Sequence, residues 1–325
     1  MGDIDMADDR IKTMRFEHTD NIPVSIGILP AAWMLYRDEL DYIIRNHPSL
    51  FGEQGDNKRD YDAVWSETYH YGSHVDKWGC VWTNIEEGME SIVTGHPIPN
   101  REDIRTFKPP TTIDGSMPHG FMFLRLTDLR GFEEAMVDFA EEPEELQILI
   151  DMVLDHNMKE LEFKLKNYSG DKFIYFGDDL GMQTSLPTSP KTWRKYLKPC
   201  YMKMYQRTKQ EGLYIYMHTD GHIHEIIPDL VECGVDVINP QIRANGIDNL
   251  VRVCKGKVCV DLDLDRQLFP FCTPADIDDH IHESVEKLGS PNGGLWLKAE
   301  IGNDVSLENI EAICVALEKY RCFYR

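Results

Sequence analysis

Met217-His218-Thr219-Asp220-Gly221 follows the apolar run Leu213-Tyr214-Ile215-Tyr216 and precedes His222-Ile223-His224-Glu225-Ile226-Ile227-Pro228-Asp229-Leu230. The first run reads as a buried strand and the last as the opening of a helix. A strand therefore delivers an imidazole and a carboxylate, two residues apart, onto the lip where a helix begins. In a parallel α/β protein that lip, at the carboxyl end of a strand, is where chemistry is done. The same lip recurs at Asp178-Asp179, at Asp261-Leu262-Asp263 and at Lys298-Ala299-Glu300. Acidic strand ends repeated through one half of a chain predict an active-site rim.

Working outward, the second half alternates strand and helix. Strands are predicted at 173–176, 213–217, 235–238, 257–262 and 294–297, each short and nearly continuous in apolarity, as for strands covered on both faces. Ser189-Pro190 and Thr273-Pro274 each put a capping hydroxyl before a proline at the first helical position, and Ser306 precedes Leu307-Glu308-Asn309-Ile310. Gly234 and Gly289 stand where helices should stop. In the first half, 22–28 and 121–126 read as two more strands, and 132–167 as helix broken near Glu142-Pro143. Residues 78–96 predict a β-hairpin outside the main alternation, and 107–120 a proline- and glycine-rich loop. Seven strands are placed and an eighth is not. The reading is α/β, a single (β/α)8 TIM-type barrel domain over residues 1–325 with N-terminal helical and hairpin decorations; a doubly wound open sheet is the alternative.

The chain of 325 residues is long enough for one such barrel. Its formal net charge of −22 works against nucleic acid and anionic membrane as partners, because each needs a basic footprint. It also disfavours a polyanionic substrate. The eight cysteines form no CxxC pair, and Met1-Gly2-Asp3-Ile4-Asp5 is acidic where a signal peptide would be basic. Reduced core thiols and a cytoplasmic location are expected. No apolar run approaches the roughly 20 residues of a membrane helix.

A family resemblance rests on particular stretches. Phe176-Gly177-Asp178-Asp179-Leu180-Gly181-Met182-Gln183, then Ser189-Pro190 and Tyr196-Leu197-Lys198-Pro199, resembles the uroporphyrinogen decarboxylase superfamily. So does His218-Thr219-Asp220-Gly221 running into Ile226-Ile227-Pro228-Asp229-Leu230 and Gly234-Val235-Asp236-Val237-Ile238-Asn239-Pro240. The likeness is dense over 173–320 and looser over 22–167. It implies a barrel with its pocket at the carboxyl ends of the strands. The true decarboxylases carry an Arg-Gln-Ala-Gly-Arg-type segment near the amino terminus, whereas residues 22–36 here contain no arginine. The closer likeness is to the corrinoid-dependent methyltransferase branch, whose members exchange methyl groups between a small substrate and a cobalamin carried by a partner protein.

In the thiol-methylating members of that branch the corresponding motif is His-x-Cys-Gly, with a second cysteine near the last strand, and all three hold zinc. Here His218 is kept, Asp220 stands at the first cysteine position, and no cysteine occurs at 298–300. An imidazole-carboxylate site is harder than a thiolate site and suits an oxygen-linked methyl donor. The resemblance therefore implies zinc on His218, Asp220 and Glu300, with Asp178 or Asp179 positioning substrate or supplying a proton beside His218.

Each of these residues has a plainer reading. Asp220 can cap the helix expected from His222, Glu300 can pair with Lys298, and Asp178 or Asp179 can bond the loop backbone. Asp261 is taken as substrate-binding, with Asp263 on the same strand face. Tyr175 and Trp78, with Phe176, Trp82 and Met217, are read as an aromatic wall for a flat substrate. His70 and His74 would cover the pocket, and Glu53 with His74 is a weaker metal alternative. His222 and His224 are read as helix-surface residues and Cys233, Cys254 and Cys259 as core filling. The expected activity is transfer of a methyl group from a small methylated donor, first a methoxylated aromatic, to the cobalt of a corrinoid protein, with a homodimer left open. A methylcobalamin-to-thiol methyltransferase, a decarboxylase or lyase, and a non-catalytic barrel are the alternatives.

Overall fold

The computed structural model describes residues 9–55, 57–64 and 66–325. Nine strands are described: β1 (Val24–Ile28), β2 (Gly72–Val75), β3 (Val81–Asn84), β4 (Ile92–Gly95), β5 (Phe173–Gly177), β6 (Tyr214–Thr219), β7 (Val237–Pro240), β8 (Cys259–Asp263) and β9 (Leu295–Ile301). Six of them form one sheet in the order β1-β9-β8-β7-β6-β5, and the others a three-stranded sheet in the order β2-β3-β4. β5 pairs with β6, β8 with β9 and β9 with β1, all in parallel. Helices separate consecutive strands of the larger sheet from β5 onward. This is the α/β, TIM-type arrangement that the strand-helix alternation predicts.

Contacts fall into two compact units: the described residues up to Gly72 with Asn84–Ser91 and Pro240–Arg325, and Ser73–Thr83 with Ile92–Asn239. In the first unit β1 and β9 are in register from Val24 opposite Leu297 to Ile28 opposite Ile301. The helices Pro274–Leu288 and Leu307–Tyr320 bury Ile277, Ile281, Val285, Ile310, Ile313 and Leu317. Thr273 and Asp276 form a capping box at the first helix, and Ser306 caps the second.

In the second unit, alternation along β5 and β6 sorts side chains to two faces. Phe176 turns to the helix Lys198–Gln210, its ring 5.0 Å from Tyr205. Tyr175 and Gly177 stand opposite Tyr216 and His218 on the other face. β6 runs through Thr219, two residues past the predicted end, so His218 belongs to the strand itself.

Three expectations need correction. Residues 121–126, predicted as a strand, lead into the helix Phe123–Arg130; the run Phe121-Met122-Phe123-Leu124 is too short for its period to decide, and Asp178 caps it from elsewhere in the chain. The helix expected from His222 begins at Ile227, so His222 and His224 lie in the preceding turn with rings 4.5 Å apart. The hairpin over 78–96 gains β2 as a third strand. The helical stretch does break as read, into Phe132–Glu141 and Glu144–Lys166, with Glu142 at a left-handed φ of 54°. All eight cysteines are free thiols. Among the described residues no helix is long and apolar enough to cross a membrane.

Candidate metal centre

Beyond their last paired residues, the loops leaving β5 and β6 stay zipped together. Asp178 N–H donates to His218 O (3.1 Å), Leu180 N–H to Thr219 Oγ1 (3.0 Å) and Gly181 N–H to Asp220 O (3.2 Å). In return, Asp220 N–H donates to Asp179 Oδ1 (2.9 Å) and His222 N–H to Met182 O (2.8 Å). The crossing point admits no side chain. A Cβ on Gly221, whose φ is +82°, would fall 2.2 Å from Gly181 O, and one on Gly181 would fall 2.4 Å from His222 N.

A third segment, the loop at 107–120, reaches the same strand ends. Gly120 N–H donates to Gly177 O (2.8 Å), which sets His119 directly over Gly177. A Cβ at Gly177 would lie 2.5 Å from His119 Nδ1, so glycine is what lets the imidazole approach the strand. His119 Nε2 is 3.1 Å from Asp179 Oδ2, and the His119 and His218 rings are 5.4 Å apart. His218 Nε2 lies 4.0 Å from Asp179 Oδ1 and 3.3 Å from Asp220 Oδ1.

The opposite nitrogen of His218, Nδ1, is 2.6 Å from Asn239 Oδ1 at the end of β7. A carboxamide oxygen only accepts, so Nδ1 donates to Asn239, and Nε2 is the nitrogen turned toward Asp179 and Asp220. Burial pushes the Asp179 carboxyl up, but the His119 hydrogen bond, the His119 and His218 charges and the Asp220 N–H outweigh it, holding its pKa below the ordinary value.

Among the described residues His119, Asp179 and His218 are the group whose ligand atoms converge, all within 4.8 Å of one another. A tetrahedral zinc ion with bonds of about 2.0–2.2 Å needs ligand atoms roughly 3.3–3.6 Å apart. Two imidazoles and a carboxylate, one imidazole oriented by an outer hydrogen bond, fit such an ion with small side-chain shifts.

The model of the uroporphyrinogen decarboxylase (URO-D) family matches residues 122–320. The chain belongs to the uroporphyrinogen decarboxylase family. No curated protein sequence matches it. A methyltransferase from Methanosarcina mazei, at 16% identity, covers 98% of this chain and 99% of its own with a TM-score of 0.65, so the two share a fold. A dihydropteroate synthase from Xanthomonas albilineans, solved with 4-aminobenzoic acid, is 13% identical over 49% of this chain and 58% of its own, with a TM-score of 0.34.

Within this URO-D family chain, the residues singled out from sequence have diverse fates. Asp179, His218 and Asp220 come together as described. Asp178 does not join them. It is wholly buried and accepts the N–H groups of Met122 (3.1 Å), Phe123 (2.6 Å) and Leu124 (2.9 Å) and the Tyr201 hydroxyl (2.6 Å). It caps the helix Phe123–Arg130, where a carboxylate meets the positive end of the helix dipole.

Trp78 is buried at 5% exposure, its ring edge-on to His156 at 4.7 Å, so it packs on the helix Glu144–Lys166 and offers no open wall. Tyr175 is exposed, 5.1 Å from the Tyr216 ring, and its hydroxyl donates to Asp171. In the first unit, Glu300 is engaged by the Arg266 guanidinium, which compensates its charge. Asp261 is buried opposite Trp296 and lines a cavity of about 370 Å³ with Ser25, Trp296 and Arg321.

Sequence reasoning missed His119 and Asn239. His119 lies in a loop without period, and its only signal is the glycine at 177 that makes room for it. Asn239 sits in a run that reads as apolar strand, and nothing local marks it as that strand's buried polar end.

Proposed function

We propose that this protein is a methyltransferase that moves a methyl group from a small methylated donor, a methoxylated aromatic first, to the cobalt of a corrinoid carried by a partner protein. The observation that carries the proposal is the convergence of His119, Asp179 and His218 without a cysteine. Such nitrogen and oxygen donors suit an oxygen-linked methyl group better than a thiol. The fold shared with a protein named a methyltransferase supports the same reading.

In the reaction, the methyl carbon–oxygen bond breaks and a carbon–cobalt bond forms with the electron pair of Co(I). The leaving oxygen gains charge and must be stabilised or protonated. His119, Asp179 and His218 would hold a zinc ion, which would supply Lewis-acid stabilisation of that oxygen. Asn239 engages Nδ1 of His218, so Nε2 is the nitrogen that would ligate the ion. Asp220, 3.3 Å from that nitrogen, is the group placed to hold a proton at the rim. Tyr175 is exposed on the sheet face of His218, and stacking on such a ring orients a flat donor at small entropic cost.

The test pairs the protein with a reduced corrinoid protein and follows the cobalt spectrum. Methylation by methoxyphenols, and not by methanol or methylamines, is the expected outcome. Transfer from methylcobalamin to a thiol, with no activity on aryl ethers, would overturn the reading. Metal analysis of His218→Ala provides a second check, because stoichiometric zinc in that variant would remove His218 from the site.

A further inference from the structure

The loop that brings His119 to the strand ends has no regular structure, yet it is fixed at both sides of the histidine by one helix. Within Glu144–Lys166, Asn157 and Glu160 are three residues apart and so share a face. Glu160 is 1% exposed, and its Oε2 accepts Asp114 N–H (2.9 Å) and Gly115 N–H (2.7 Å). Asn157, also buried, donates from Nδ2 to Phe121 O (2.6 Å). These bonds hold the chain four residues before His119 and two residues after it. The other Glu160 oxygen takes Lys77 Nζ at 2.6 Å and lies 3.3 Å from His156 Nε2, so the buried charge is compensated. A Cβ on Gly115, at φ +81°, would come 3.0 Å from the Phe163 side chain and 3.3 Å from the Lys164 backbone, so the loop lies close against the helix.

We infer that Glu160, with Asn157, is a positioning residue for the metal centre: it holds the 107–120 loop so that His119 meets Asp179 and His218. This rests on the proposed role of those three residues as metal ligands. Glu160 touches neither metal nor substrate, and its effect is transmitted wholly through where His119 stands. A loop loosened there leaves a two-ligand site that binds metal weakly, because outer partners that fix a ligand's position typically govern about 10–100-fold in affinity.

The test measures zinc affinity and the visible spectrum of the cobalt-substituted protein in a Lys77→Met background, where removing Glu160 leaves no uncompensated lysine. Lys77→Met alone should lower stability but keep metal affinity within about twofold of the unaltered protein, since the Glu160 bonds to Asp114 and Gly115 persist. Adding Glu160→Leu should weaken binding about tenfold or more and weaken the tetrahedral cobalt bands as water takes the place of the imidazole. Adding Glu160→Gln, which keeps a carbonyl oxygen for the two N–H groups, should restore most of the affinity. In a His119→Ala background the Glu160→Leu change should have no further effect. Equal affinity with and without Glu160, or full additivity with His119→Ala, would overturn the inference alone. Absence of metal binding by the unaltered protein would overturn the reading of the site and the inference with it.

Discussion

Asn239 Oδ1 stands 2.6 Å from His218 Nδ1, and this contact decides which nitrogen of the imidazole faces the carboxylates. Asn239→Leu removes the acceptor without opening a large cavity. Zinc affinity should fall about 10–100-fold while the fold persists, and Asn239→Asp should retain affinity because it keeps an acceptor. Isothermal titration with zinc separates the two variants. Equal affinities for the leucine variant and the parent would show that His218 is oriented by other means.

Gly177→Ala places a methyl 2.5 Å from His119 Nδ1 and must push the imidazole away from the strand. The expected cost is about 1–3 kcal/mol of stability, with metal stoichiometry reduced in the folded protein. Chemical denaturation and metal analysis of one preparation read both effects. Unchanged metal content would mean that His119 is not a ligand.

Asp178→Ala strips four donors, three of them in wholly buried contacts, of their acceptor. Leaving such groups unsatisfied should destabilise by at least about 2 kcal/mol, while the folded fraction keeps its metal. That pattern follows from a capping role. Normal stability with abolished methyl transfer would instead return Asp178 to the chemistry.

Burial pushes the Asp128 carboxyl up to about 7, with the Asp178 and Asp76 charges adding to the effect and Arg125 and His119 opposing it. Its folded pKa is above the ordinary value of 3.8, so its contribution to stability is complete below that value and is lost as pH rises through about 7. Asp128→Asn should therefore stabilise the protein more at pH 8 than at pH 5, by up to about 3 kcal/mol. Thermal melts of both proteins at the two pH values measure the gap. A difference independent of pH would show that Asp128 is ionised throughout.

The strands of the larger sheet were legible because apolar runs bounded by caps and glycines leave little choice of structure. The run at 121–126 misled because what makes it a helix start is a carboxylate more than fifty residues away. The site was legible in the same proportion. His218 and Asp179 stand at strand ends, where chain order and spatial order agree. His119 reaches them from a loop whose path depends on Glu160, Asn157 and the missing side chain at Gly177, none of which has a local signature. Glu300 ends a strand just as the others do, and only its long-range partner Arg266 distinguishes it.

The contact between Gly181 and Gly221 carries a consequence for how this rim can change. Because each backbone fills the space a side chain of the other would need, both positions are held to glycine whatever side chains surround them. A side chain at either one would part the two loops that carry Asp179 and Asp220. Substitutions on the exposed sheet face, as at Tyr175, would reshape the rim while leaving the glycine crossing as a fixed keel.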